Sequence, residues 1–193
     1  MTIPDFPGLG GVTQPDSPPD ALLVRRVLAG QTDAFGVLVD RYHARCLRMA
    51  THLLADSDDA EDVVQDAFVR AYRHLGNYHE RDKFGGWLMR ILVNQCRTRA
   101  TKNARYVALD PETHTASLAV SPSDEQFDRR AELAHALAHL GPEAREAIAL
   151  RFTEELSYEE MSVITGVGVS ALKMRVQRAC QRLRTLLTEH LPS

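Results

Sequence analysis

The chain has 193 residues, 44% hydrophobic and 25% charged, enough apolar content for one ordinary domain or two small ones. A net charge of −3 excludes a uniformly basic nucleic-acid binder, so any such contact has to come from local clustering. Three widely separated cysteines (Cys46, Cys96, Cys180), no membrane-length apolar run and an N-terminus without the Lys, Arg or apolar core of a secretory signal lead us to expect reduced, structural thiols in a cytoplasmic protein with no membrane contact.

Residues 1–19 hold five of the nine prolines and only two charges, Asp5 and Asp16, and read as a disordered tail. Helical spacing begins at Asp20 and persists to about Arg105. Residues 20–30 form a short first helix that Gly30 stops. Thr32 is expected to cap a second helix, with Phe35, Leu38, Val39, Tyr42, Cys46, Met49, Ala50 and Leu53 on one side. The third segment, 57–75, places Ala60, Val63, Val64, Ala67, Phe68, Ala71, Tyr72 and Leu75 on a single stripe. Ser57 is expected as its N-cap, with Asp58, Asp59, Glu61 and Asp62 at the positive end of the dipole. The opposite face carries Asp62, Gln65, Asp66, Val69, Arg70 and Arg73.

A polar break at 76–81 precedes a fourth helix, expected to be capped by Asp82 and to bury Phe84, Trp87, Leu88, Ile91 and Leu92. From Gly76 to Tyr106 seven Lys or Arg face only Glu80 and Asp82. Cations that track a backbone, with aromatic rings nearby, suit a single nucleic-acid strand. Phe84 and Trp87 lie on the apolar stripe and read as core, whereas Tyr78 and His79, in the polar loop, are the better candidates for touching a base. Gly85 and Gly86 lower helix propensity at the start of this helix, by about 1 kcal/mol each relative to Ala.

Residues 106–122 lose the helical period, contain Pro111 and Pro122, and are acidic. They read as a flexible linker that, at ~3.3–3.6 Å per residue, could span up to about 60 Å. A second domain, 123–190, begins with a stretch, Ser123 to Gln126, that fits the capping-box pattern. Pro142 sits where a helix should start, and a second capping box, Ser157 to Glu160, opens a short helix that ends at Gly166. Ser170 is expected to cap a final long helix. The short helix, the Gly-containing turn and the long helix form a helix-turn-helix. In the last helix Leu172, Val176, Ala179, Leu183 and Leu186 make the inner stripe. Ser170, Lys173, Met174, Gln177, Arg178 and Gln181 point away, Arg175 flanks them, and no acid occurs before Glu189. Lys and Arg suit phosphates and guanine edges, and Gln suits adenine edges.

The fold class expected is therefore all-α, two small helical domains joined by a flexible linker, the second containing the helix-turn-helix. His135 and His139 share a helix face, as zinc ligands can, but no nearby Cys or HExxH supports a metal site. No nucleotide-loop or hydrolase motif is present, and no catalytic site or cofactor is expected.

Together these stretches resemble the extracytoplasmic-function (group 4) sigma factors of the bacterial sigma-70 family. Residues 59–75 resemble family region 2.2, residues 84–99 the end of region 2 with its Trp-Leu-x-Arg-Ile core, and residues 137–184 region 4. The resemblance implies a non-enzymatic promoter-specificity subunit. Asp62, Gln65, Asp66 and Val69 would bind the β′ clamp helices of core RNA polymerase, with the β flap a further contact. Asn77, Tyr78, His79, Arg90 and Arg97 would engage the −10 strand in the domain 20–105. Ser170, Lys173, Met174, Arg175, Gln177 and Arg178 would read the −35 element. Promoter DNA and an anti-sigma factor are the other implied partners. Ala171, Met174 and Cys180 stand where the family more often has polar or basic residues. Two other readings stay open: a helix-turn-helix regulator whose first domain senses a ligand or dimerises, which leaves the acidic third helix and basic fourth helix unexplained, and a metal enzyme built on His135 and His139.

Overall fold

The computed structural model describes residues 18–54, 56–79, 83–109, 132–133 and 135–189, and among them there is no strand. The first half comprises α1 (Asp20–Leu28), α2 (Asp33–Leu54), α3 (Ser57–Arg73), a 3₁₀ turn (Leu75–Asn77) and α4 (Phe84–Leu109). The second has a helical stretch at 135–138, α5 (Pro142–Ile148), a π-helical turn (Ala149–Thr153), α6 (Tyr158–Thr165) and α7 (Val169–Glu189).

Local chemistry sets most of the boundaries. Gly30, at φ +92°, makes the left-handed turn between α1 and α2. The carboxylate of Asp20, at the start of α1, accepts from Arg41 and from the Tyr42 hydroxyl, which ties α1 to α2. The N-cap of α3 is Asp56, one residue before the expected Ser57: its carboxylate accepts from the backbone N–H groups of Asp58 and Asp59 at 2.9 and 3.0 Å. An ionised acceptor serving two N–H groups at the positive helix end outcompetes a hydroxyl. The Ser157 capping box forms as expected, with Glu160 accepting from the Ser157 N–H at 2.6 Å. Gly166 closes α6 at φ +73°. α7 starts at Val169 rather than after Ser170, because the Gly168 carbonyl already takes the Leu172 N–H at 3.0 Å.

Two expectations about the first half are corrected. Tyr72 is 43% exposed, its ring against Phe35 at 5.1 Å, because it lies at the edge of the α3 stripe, whose centre is covered by α2 and α4. Helix α4 continues to Leu109, so the first residues assigned to the linker are helical. The proposed caps at Asp82 and Ser123, residues 1–17 of the N-terminal tail and the remainder of the linker lie outside the described residues; of that tail, Pro18 accepts from Arg41 through its carbonyl at 2.8 Å and Pro19 caps α1.

The two halves pack directly on one another. A single apolar cluster runs from Leu38, Met49, Leu88 and Leu92 of the first half to Ala147, Leu150, Leu156, Met161 and Ile164 of the second. A smaller cluster of Leu140, Ile148 and Ala179 seats the start of the second half on α7. Arg145 joins these parts without a carboxylate: its guanidinium donates to the carbonyls of Leu137, Ala138 and Leu140 and, across the interface, to Leu53. It thereby caps the C-terminal ends of two helices, where a cation is favoured. Burial pushes its pKa down, and carbonyl partners hold the charge in place. Arg145→Ala should destabilise the chain by about 2–3 kcal/mol, read by chemical denaturation. Arg145→Lys should recover little of this, because an ammonium cannot reproduce the planar fork that spans these carbonyls.

Candidate nucleic-acid interface

The outer face of α3 is open. Asp62, Gln65 and Asp66 are exposed, and Val69 is 40% exposed. Gln65 and Val69, with Glu61 and Phe68, form one wall of a groove of about 530 Å³; Phe35, Val39 and His43 of α2 form the other. The acidic edge borders an apolar trough, the combination a mixed protein surface requires. The trough-lining residues of α2 were missed by sequence reasoning, since Phe35 and Val39 fit the core stripe as well. Asp62 also faces Arg99 of α4 at 3.6 Å. Arg99 pairs more closely with Asp59, which also accepts from Asn103 at 2.6 Å, and these bonds fix the angle between α3 and α4.

The −10 candidates divide into three states. Asn77, His79 and Arg90 are exposed. Tyr78 is only 9% exposed, its ring packed on Phe84 at 5.9 Å and Trp87 at 5.4 Å. The expectation that it stands free in the loop to meet a base is therefore corrected: an aromatic cluster at the head of α4 absorbs the ring. Arg97 is held by the second half. Its Nε and Nη2 donate to the two carboxylate oxygens of Glu146, both at 2.7 Å, and Nη1 donates to the Thr165 carbonyl at 3.3 Å. The bidentate bond with Glu146 pushes the Arg97 pKa up further. A second ion pair, Arg45 with the buried Glu154, crosses the same interface. These two pairs and the Arg145–Leu53 bond form a clasp between the halves.

On α7 the outward set is as the sequence predicts. Ser170, Lys173, Met174, Gln177 and Arg178 are exposed while Leu172, Val176 and Ala179 are buried. Lys173 and Arg151 lie against the Tyr158 ring, at 5.7 and 5.1 Å from its centre. Arg175 is half-buried and paired with Glu143 at 2.7 Å. Arg175, Arg178 and Arg182 line one wall of a groove of about 890 Å³ facing residues 139–144. Glu143 in the same lining neutralises Arg175, and the remaining Arg178 and Arg182 on a helix-turn-helix suit a polyanion.

Comparison with known proteins matches residues 38–106 to Sigma-70 region 2 and residues 130–183 to Sigma-70 region 4. The RNA polymerase sigma-H factor of Pseudomonas aeruginosa is 31% identical over 83% of this chain and 89% of its own length. The ECF RNA polymerase sigma-E factors of Haemophilus influenzae and Escherichia coli are 30% and 31% identical over 90% of their lengths. The chain belongs to the extracytoplasmic-function group of the sigma-70 family. The ECF RNA polymerase sigma factor SigE of Mycolicibacterium smegmatis is 38% identical over 79% of this chain, which covers 61% of that relative's length. Among solved structures, the sigma factor RpoE in complex with the anti-sigma factor NepR from Bartonella quintana has a TM-score of 0.69 at 28% identity, covering 81% of this chain and 98% of that one. CnrH in complex with the cytosolic domain of CnrY has a TM-score of 0.67 at 28% identity, covering 89% and 99%.

In this sigma factor the remaining chemistry-bearing residues are structural or surface groups. Cys46 and Cys96 are buried, and burial pushes both thiols up to about 12, so they are protonated and unreactive near neutral pH; Cys180 is exposed. The His135 and His139 rings stand 4.3 Å apart, and among the described residues no group of three potential metal ligands gathers there or elsewhere. Nor does any described helix have the length and apolarity to cross a membrane. The clasp generates a direct prediction: a double-mutant cycle of Arg97→Ala and Glu146→Ala, followed by chemical denaturation, should give a coupling energy of about 1–2 kcal/mol, with half-exposed Arg97 keeping it below the range of fully buried pairs.

Proposed function

We propose that this sigma factor binds core RNA polymerase, directs it to promoters by engaging −10 and −35 elements, and promotes melting of the −10 region. The observation that carries this reading is the pairing, in one chain, of an exposed acidic and apolar α3 face with the acid-free outer face of α7. A regulator that met DNA alone would have no use for the first surface. Asp62, Gln65, Asp66 and Val69 dock on the β′ clamp helices, and the second half meets the β flap. Asn77, His79 and Arg90 meet the −10 strand, with Arg97 joining them once released. Tyr78 shapes the loop from below by holding it on Phe84 and Trp87. Ser170, Lys173, Met174, Gln177 and Arg178 enter the −35 major groove, with Arg175 at the edge.

Capture of an unpaired base offsets the cost of opening the duplex, so melting needs no ATP site. The closed arrangement is the resting form. Arg97 cannot hold Glu146 and a phosphate together, so the clasp opens before the −10 strand is bound. A phosphate then replaces the carboxylate, with similar charge-assisted hydrogen bonds on both sides of the exchange. An anti-sigma factor that stabilises the closed form would keep the chain off promoters, in keeping with solved relatives bound to the anti-sigma factor NepR and to the cytosolic domain of CnrY.

The test is run-off transcription from a promoter library with the purified chain and core polymerase. Defined start sites should appear only when both are present. Asp62→Arg with Asp66→Arg should lower affinity for core by 100-fold or so, roughly 3 kcal/mol, with thermal melting only slightly lowered, because both side chains are exposed and the Asp62–Arg99 pair that is lost is a long surface one. Unaltered core affinity in that variant would refute the α3 assignment.

A further inference from the structure

An exposed methionine stands in the middle of the polar face of α7. Met174 is 48% exposed and, at about 3.6 residues per turn, lies opposite the buried stripe of Leu172, Val176 and Ala179. It stands at the outer rim of the groove that α7 forms with residues 139–144, whose lining also includes Ala171. Ala171, also exposed, is its neighbour one turn back, so the two make a small apolar strip among Lys173, Gln177 and Arg178. One side of the strip borders the groove facing residues 139–144, and the side turned to water gains nothing there. It is complementary to a surface that is anionic at its edges and apolar at one point in its floor. The major groove has that character: phosphates line its walls, and the C5-methyl group of thymine is the apolar feature that a base pair presents there.

We propose that Met174, supported by Ala171, reads a thymine methyl group in the −35 element and so sets part of the promoter specificity. This rests on α7 being the −35 reader. Register follows from helix geometry. Arg178 is one turn beyond Met174, about 6 Å along the axis, or roughly two base-pair steps. The thymine therefore falls within about two base pairs of the base that Arg178 or Gln177 contacts. A thioether is flexible and polarizable enough to settle on a methyl group without a fixed rotamer. The surrounding cations favour DNA over an apolar protein helix as the occupant, because a protein partner would need to neutralise Lys173 and Arg178 as well.

The test begins by selecting preferred −35 sequences from a randomised duplex library with the full chain bound to core polymerase. Each thymine in the selected site is then replaced singly by deoxyuridine, which removes only the methyl group. One replacement should weaken binding about fourfold, the equivalent of one buried methyl. Met174→Ala should bind the thymine and uracil sites equally, at the weaker level, whereas Met174→Leu should still discriminate. Exposure at this position makes unfolding of either variant unexpected, and equal thermal melting checks it. If wild type is indifferent to every uracil replacement, or if Met174→Ala still prefers thymine, the assignment is overturned. If no −35 sequence is enriched at all, the promoter reading on which it rests fails, and the assignment falls with it.

Discussion

The bidentate bond between Arg97 and Glu146 is the constraint on which the arrangement of this sigma factor depends. It joins a cation near the middle of α4 to a buried carboxylate on α5, and it stands beside a second crossing pair, Arg45 with Glu154. Burying two carboxylates is costly unless each has a cation, and here both cations come from the other half. The halves are therefore matched in charge as well as in shape. Separation leaves Glu146 and Glu154 to water and releases Arg97 for another anion. The apolar cluster shared by Met49, Leu88, Leu150 and Met161 supplies the attraction, and the ion pairs give it a unique register.

On the proposed reading, the same arrangement apportions surfaces between resting and working forms. The α3 face with Asp62, Gln65, Asp66 and Val69 stays open in the closed chain, as does the outer side of α7. Arg97 alone among the proposed −10 contacts is committed to the clasp. On the proposed reading, polymerase can dock on the closed form through α3, and promoter DNA then competes for Arg97 with Glu146. Coupling of this kind needs only a difference in affinity between two states. It places the switch at an interface of a few residues instead of within a folded domain.

Much of this was legible in the sequence, for reasons that are local. The α3 stripe, the Ser157–Glu160 capping box, the Gly166 stop and the division of α7 into buried and outward residues all follow from spacing within one or two turns. What was not legible depends on distant partners. Arg97 and Glu146 are separated by 49 residues, and each reads as a surface charge until the fold brings them together. Tyr78 looks like an exposed ring because its neighbours are polar, yet Phe84 and Trp87 cover it. Phe35 and Val39 line the groove beside α3 from a helix whose apolar side was assigned wholly to the core. The one-residue shift of the α3 cap from Ser57 to Asp56 shows a smaller limit: where two capping residues are adjacent, spacing alone does not choose between them.

The most direct test of the closed resting form is the distance between the halves before and after polymerase docks. Cys180 on α7 offers a reactive exposed thiol, while buried Cys46 and Cys96 do not compete for label. A second thiol introduced at the exposed Arg26 of α1 completes a donor–acceptor pair for resonance energy transfer. Transfer should be high in the free chain and fall when core polymerase and promoter DNA are added, with Glu146→Ala shifting the free chain part of the way. Low transfer in the free chain, or high transfer that polymerase and promoter leave unchanged, would contradict the account.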